Sequence, residues 1–178
     1  MKSMMEPSRR KNTYLLFIML LFAISGCAGP KIATDLLSNA KTNEKPLTNK
    51  SSIVNVAINP DINNYEKLDE SVKQSLEIAL ANANIFGVDS SKPYRIDANI
   101  LIASQSPMSF GSFEGQLEIR YVVHDSNDRE ILDKTISTVA GSDQWSFSGA
   151  KRHRRARAVN ISKNVLQFVD NLQSLLQK

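Results

Sequence analysis

The chain has 178 residues, of which 42% are hydrophobic, and its formal net charge is +4 at pH 7. Residues 1–26 carry three of those four excess positive charges, so the charge of the remaining chain, about +1, gives no reason to expect nucleic acid binding. The single cysteine has no disulfide partner within the chain, and no His and Cys residues have the spacing of zinc ligands.

An apolar run near the N-terminus has the layout of an export signal. Basic residues 9–11 precede it, it extends over residues 14–24, and it is followed by small residues and Cys27. The run is shorter than the roughly 20 residues that a membrane-spanning helix needs. The motif Ile24-Ser25-Gly26-Cys27 resembles the lipobox of bacterial lipoproteins. An ordinary signal peptide and a buried apolar helix are the alternatives.

The resemblance implies a lipid anchor on Cys27. In such lipoproteins a peptidase cuts before the cysteine, whose thiol carries a diacylglyceryl group and whose amine receives a further acyl chain such as palmitate. Several acyl chains, at about 0.8 kcal/mol for each buried methylene, would make the attachment permanent. Ala28 and Gly29 follow the cysteine in place of the aspartate that retains such proteins at the inner membrane, which favours the outer membrane. Residues 1–26 are therefore predicted to be a cleaved signal peptide, and no other cofactor is expected.

The segment after the cysteine is predicted to be a flexible tether. Residues 27–52 are rich in Lys, Asn, Thr and Ser, and their apolar residues show no sustained period. A flexible chain of this length has an r.m.s. reach of roughly 25 to 30 Å. A short helix over residues 32–37 is the alternative for its first part. Residues 53–178 are predicted to form a single periplasmic domain.

The first half of this domain is predicted to be a strand, a helix and a second strand. Residues 53–58 are rich in β-branched residues and end at an Asn-Pro pair. Apolar residues then recur with the spacing of one helix face over residues 64–84, and Gly87 is placed to end that helix. Residues 94–102 alternate with period two, which places apolar side chains from Tyr94 to Ile102 on one face. The apolar stripe of the helix comprises Leu68, Val72, Leu76, Ala79, Leu80 and Ala83.

A third strand over residues 116–123 repeats this alternation. Its polar residues Glu118 and Arg120 are expected to lie across from Arg95 and Asp97 of the second strand. Such pairs would form a polar sheet face that is either wet or available to a partner.

The last elements are a strand and a long helix. A turn at residues 125–129 leads into a strand over residues 130–139 whose phase is ambiguous, and an apolar stripe from Ala158 to Leu175 predicts the final helix. The order β-α-β-β-β-α predicts an α+β two-layer sandwich. We expect a mostly antiparallel four-stranded sheet with both helices on one face.

No residue pattern predicts catalysis, so an enzyme is not expected. The motif G-x-S-x-G is absent, and residues 111–115 lack the lysine and the spacing of a phosphate-binding loop. His124 lies where a strand enters a turn, a position typical of a solvated histidine or of one that hydrogen-bonds within the loop. An envelope hydrolase would need a pocket that brings His124 together with Ser or Asp side chains.

The one local anomaly is a basic segment, residues 151–157, at the start of the last helix. Cations there meet the positive end of the helix macrodipole, so local helix stability does not explain them. Arg154 and Arg157 continue the apolar stripe and are expected to cap the core or to pair with a carboxylate of the sheet. A solvated basic face with internal ion pairs is the alternative to binding. The candidate contacts to an anion or a partner are Trp145, Lys151, Arg152 and Arg155.

Together these patterns predict an outer-membrane-anchored lipoprotein that faces the periplasm and acts as a non-enzymatic accessory or docking subunit of an envelope assembly or transport complex. The alternative is a binding module for an anionic envelope glycolipid or glycan. The element order behind the lipobox is similar to that of small envelope lipoproteins, including the lipopolysaccharide-assembly lipoprotein. That likeness of fold transfers no functional residue. The sequence leaves the partner, the strand order and the oligomeric state open.

Overall fold

A computed structural model describes residues 32–105, 114–143 and 148–178. The predicted signal peptide, the lipidation site Cys27 and the candidate contact Trp145 lie outside the described residues. The order β-α-β-β-β-α is confirmed, and a short helix precedes the first strand. The elements are α1 (Thr34–Leu37), β1 (Thr48–Ile58), α2 (Leu68–Asn82), β2 (Phe86–Gln105), β3 (Gly115–His124), β4 (Glu130–Ala140) and α3 (Gly149–Leu176).

The four strands form one sheet in the order β1-β2-β3-β4. β1 pairs with β2 in parallel, through the crossover helix α2, and the two other pairings are antiparallel. α2 packs on β1 and β2, α3 packs on β3 and β4, and the two helices contact each other. The predicted α+β two-layer sandwich, with both long helices on one face of a mostly antiparallel sheet, is confirmed.

The core lies between this helix layer and the sheet. Every residue of the predicted apolar stripe of α2 is buried, and α3 buries its own stripe from Ala158 to Leu172. The Tyr121 ring of β3 stacks on Phe168 of α3, with ring centroids 4.2 Å apart, and both side chains are fully buried. The two helical periodicities in the sequence therefore identified most of the helical side of the core.

A buried asparagine ties α3 to the sheet. The Tyr121 hydroxyl donates to Oδ1 of Asn164 at 2.8 Å, and Nδ2 of Asn164 donates to the Ile136 carbonyl at 2.9 Å and to the Thr138 hydroxyl at 3.2 Å. Asn164 is fully buried, so these bonds satisfy groups that water cannot reach. They fix the rotation of α3 about its axis, and with it the direction in which the basic start of the helix points.

The prediction of a flexible tether over residues 27–52 is wrong from residue 32 onward. Ala33 and Leu37 are 1% and 0% exposed and pack with the helices. The Asn82 side chain donates to the Leu37 carbonyl at 3.2 Å, and the Gln173 side chain donates to the Lys41 carbonyl at 2.6 Å. α1 is too short for its apolar residues to show a helical period in the sequence. Its last carbonyl group accepts a hydrogen bond from a side-chain amide of α2. The packed domain therefore includes residues from 32 onward, and its first strand begins at Thr48.

Gly87 does not end α2, as its position in the sequence suggested. The helix ends at Asn82, and Asn84 takes the left-handed backbone conformation with φ 50°. Gly87 lies in β2, where a Cβ would stand 2.5 Å from the Asn49 carbonyl oxygen of β1. This glycine is needed because the two parallel strands approach each other closely at their start.

Candidate functional site

The basic start of α3 is largely engaged in ion pairs within the molecule. Nε and Nη2 of Arg155 donate to Asp143 at 2.6 and 2.8 Å, and Nη1 and Nη2 donate to Asp35 at 3.0 and 2.7 Å. Only 16% of the Arg155 side chain is exposed. These three residues, which we name the clamp, join α1 and the segment after β4 to the first turns of α3.

The clamp changes what Arg155 can bind. Hydrogen bonds from Arg155 hold the pKa of the Asp35 and Asp143 carboxyl groups below the usual range, and the same bonds raise the pKa of the guanidinium. Four of the five N–H donors of Arg155 are used in this way. Of the predicted contact residues, Arg155 is thus engaged within the molecule, Lys151 is exposed and Arg152 is half-buried.

Arg154 and Arg157 pair with a carboxylate, as expected, but the carboxylate comes from the loop before α2 and not from the sheet. Nε of Arg154 donates to Oε1 of Glu66 at 2.8 Å. Nη1 of Arg157 lies 3.9 Å from Oε2 of the same carboxylate and donates to the Tyr65 carbonyl at 2.5 Å. The Arg157 guanidinium also lies 5.4 Å from the centre of the Tyr65 ring. Glu66 and Lys67 both have φ above 50°, so these contacts hold a strained loop.

We expect Arg155→Gln to loosen α1 while leaving the fold intact. The amides of Leu37 and Ser38 donate to the Ala33 and Thr34 carbonyls, and the clamp is the ion pair that fastens this short helix to α3. Hydrogen exchange of those two amides should accelerate by roughly tenfold, because a charge-assisted bidentate contact is lost from a marginal element. Arg120→Gln, which removes a bidentate pair with Asp133 elsewhere, should leave them unchanged.

The same variant should remove part of the acid sensitivity of folding. Arg155 lowers the pKa of both aspartates in the folded state. The clamp therefore stabilises the fold at pH values above the pKa that these aspartates have in the unfolded chain. This contribution is lost as the pH falls through their pKa in the folded state. The stability difference between wild type and Arg155→Gln should be constant near neutral pH and shrink on acidification below about pH 4. A difference that grows on acidification would contradict the clamp.

A second surface is the sheet face opposite the helices, which we name the open face. No described helix covers it. Strand pairing aligns its side chains in rows across all four strands. Its members are Ile53, Asn55, Ala57, Arg95, Asp97, Asn99, Ile102, Glu118, Arg120, Val122, Asp133, Thr135, Ser137 and Val139.

Four of the five charged side chains of the open face pair within it, and Glu118 has no ion pair among the described residues. Arg95 contacts Asp97 at 3.0 Å, and Arg120 donates to Asp133 through two bonds of 2.9 and 2.6 Å. The expected pairing of Glu118 and Arg120 with the charges of β2 is wrong, because the register places Arg120 across from Asn99 of β2 and Thr135 of β4. A period-two pattern identifies a face but not the register between two strands.

Apolar side chains lie between these ion pairs. Ile53, Ile102 and Val139 are 51%, 39% and 60% exposed. Ile102 was expected in the core with Ile100, but a register shift between the two residues turns it outward. A depression of about 300 Å³ lies between Ala57 and neighbouring residues of β2 and β3. The open face thus combines mostly paired charges, exposed apolar groups and a shallow concavity.

His124, around which a catalytic pocket would have to form, is not hydrogen-bonded to the nearest carboxylate. His124 lies at the end of β3, with Nδ1 3.8 Å from an Asp97 carboxylate oxygen, which is too long for a hydrogen bond. Within residues 32–105, 114–143 and 148–178, no three His, Cys, Asp or Glu side chains converge as metal ligands would. In the same part of the chain, no helix combines the length and the apolar character that crossing a bilayer requires.

The sequence matches no protein-family model and no curated protein. A Xanthomonas campestris protein of the family DUF330 is similar in fold, with a TM-score of 0.58 at 10% identity, over 78% of this chain and 92% of that one. A second solved protein, uncharacterized, has a TM-score of 0.50 at 13% identity, over 75% of this chain and 99% of that one. A minor lipoprotein of Acinetobacter baumannii has a TM-score of 0.44 at 11% identity, covering 67% and 91%, which is too low to support an inference. At these identities the likeness shows a shared fold and no shared function.

Proposed function

We propose that this chain is a bacterial lipoprotein, anchored in the outer membrane through acylated Cys27, whose periplasmic domain is a non-enzymatic docking subunit of an envelope protein complex. The lipobox supports the anchor. The open face is the observation that carries the docking role, because it is a whole side of the sheet that no described helix covers.

The open face has the properties of a surface that binds another protein. Interfaces between proteins are mixed in polarity, with apolar residues at their centre and few unpaired charges. Arg95 and Arg120 are already paired, so covering them would not leave an isolated charge without water. Ile53, Ile102 and Val139 would lose water on docking, which favours association. We therefore propose an envelope protein with a complementary apolar patch as the occupant.

The clamp weakens the alternative of a glycolipid-binding module. Recognition of phosphate or carboxylate favours arginines with free bidentate geometry, and Arg155 already holds two carboxylates. Such a module would depend on Lys151 and Arg152, in a mature chain whose formal charge is about +1. The docking role therefore has the stronger support.

The open face can be tested by crosslinked affinity purification of the full-length lipidated protein from detergent-solubilised envelopes. The double variant Ile53→Asp and Val139→Asp adds charge to two exposed positions and should fold normally. It should reduce recovery of the partner by at least about tenfold, because two carboxylates would be buried unpaired on docking. Mass spectrometry of the co-purified proteins and lipids measures the effect.

Val88→Asp is the matched control, because Val88 is 96% exposed and lies outside the open face. It should recover the same partner as wild type. Equal recovery with all three chains would contradict docking through the open face. Recovery of glycolipid without a stoichiometric protein, lost on replacement of Lys151 and Arg152 by alanine, would favour the glycolipid-binding module instead.

A further inference from the structure

The point at which the chain enters the domain limits how the domain can sit on a membrane. Ile32 packs against the core, Ala33 is 1% exposed and Asp35 is held by Arg155. Packing against the core therefore begins no later than residue 32, five residues after Cys27, and not at about residue 53 as the sequence suggested. This inference rests on the proposed acylation of Cys27.

The connection from the lipid anchor to the domain is short. Five residue steps from Cys27 to Ile32 span at most about 18 Å when fully extended. A flexible connection through residue 52 would have allowed the domain to reorient freely. The short connection keeps the entry point close to the lipid headgroups.

The entry point lies on the side of the molecule that the sheet does not occupy. α1 contacts α2 and α3 but no strand, so it lies on the outer side of the helix layer. A helix with its side chains is roughly 10 to 12 Å across, and the sheet lies beyond it. To place the open face on the bilayer, the connection would have to be almost fully extended over the end of the molecule.

The surface beside the entry point suits anionic headgroups. Lys151 is exposed and precedes Arg155 by one helical turn, so it lies next to the clamp on the surface of α3. The first turn of α3 contains no acidic residue. The exposed Lys151 and the N-terminus of α3 both favour a negatively charged membrane surface, and the Asp35 and Asp143 carboxylates beside them are paired with Arg155.

We infer that the short connection and the clamp hold one defined side of the domain, formed by α1 and the start of α3, against the headgroup layer of the membrane that anchors it. The open face then points away from the lipid. The domain is thus held in one orientation, with lipid on its helix side and its sheet side accessible to a protein partner.

Fluorescence quenching tests this orientation directly. Cys27 would be blocked by its lipid, so a single introduced cysteine can be labelled with a maleimide fluorophore. The positions are Ala150→Cys at the start of α3 and Thr135→Cys on the open face, both exposed. The lipidated protein is reconstituted in vesicles of phosphatidylethanolamine and phosphatidylglycerol that carry a nitroxide headgroup lipid. Quenching should be several-fold stronger at Ala150→Cys than at Thr135→Cys.

A spacer tests whether the short connection is the cause. Inserting about 20 Gly and Ser residues after Gly29 raises the r.m.s. reach to roughly 25 to 30 Å and should reduce quenching at Ala150→Cys to the level at Thr135→Cys. Equal quenching at both positions without the spacer, or no effect of the spacer, would overturn the inference. The mass of the purified chain distinguishes failure of the proposed orientation from failure of the proposed lipid anchor. A chain without acyl groups on Cys27 would contradict both the anchor and the orientation.

Discussion

Replacing Cys27 by serine should abolish fatty-acid attachment completely. Serine has no thiol to receive the diacylglyceryl group, and the chain contains no other cysteine to take its place. Because the peptidase of such lipoproteins cuts before the cysteine that carries the diacylglyceryl group, the variant should also retain residues 1–26. Metabolic labelling with an alkyne fatty acid, followed by intact mass measurement, tests both expectations. The wild-type chain should carry the label and begin at Cys27.

Two outcomes would contradict the lipid anchor. One is label in the Cys27→Ser variant, which would place the lipid elsewhere. The other is an unlabelled wild-type chain cleaved at another residue, which would indicate an ordinary signal peptide. Gly29→Ala is a suitable control, because it alters the same region without touching the thiol and should be labelled as strongly as wild type.

Asn164→Ala should lower the free energy of unfolding by about 2 to 4 kcal/mol, because it leaves the buried Tyr121 hydroxyl without a partner and opens a small cavity. The melting temperature should fall by roughly 5 to 15 °C. Urea denaturation and calorimetry of the chain without residues 1–27 measure these changes. Asn171→Ala on the exposed side of α3 is the matched control and should change stability by less than about 0.5 kcal/mol.

A double variant separates the contribution of the hydrogen bond to stability from the cost of the cavity. Tyr121→Phe with Asn164→Leu removes both partners of the bond and refills the space with apolar atoms. Its cost should be smaller than that of Asn164→Ala, because no buried hydroxyl is left unsatisfied. A larger cost would mean that the bonds from Asn164 to the Ile136 and Thr138 groups dominate the stabilisation.

The sequence by itself determined the element order, the fold class and most of the core. Helical spacing in α2 and α3 and the alternation in β3 report directly which side of an element is buried, because each period follows from local backbone geometry. The lipobox is likewise a local pattern, readable without a fold. The sequence also showed the excess of basic residues at the start of α3, but it did not show which groups these residues contact.

Only the tertiary structure decided which groups those cations contact and which surfaces remain uncovered. Asp35 lies 120 residues from Arg155 in the chain, and no local period links the two. The register shift that exposes Ile102 and the pairing of Arg120 with Asp133 also depend on how strands align. The packing of residues 32–47 on the helices depends on side-chain amides of α2 and α3 that donate to carbonyl groups of these residues. Contacts between distant segments arise from the fold as a whole, so local sequence patterns do not report them.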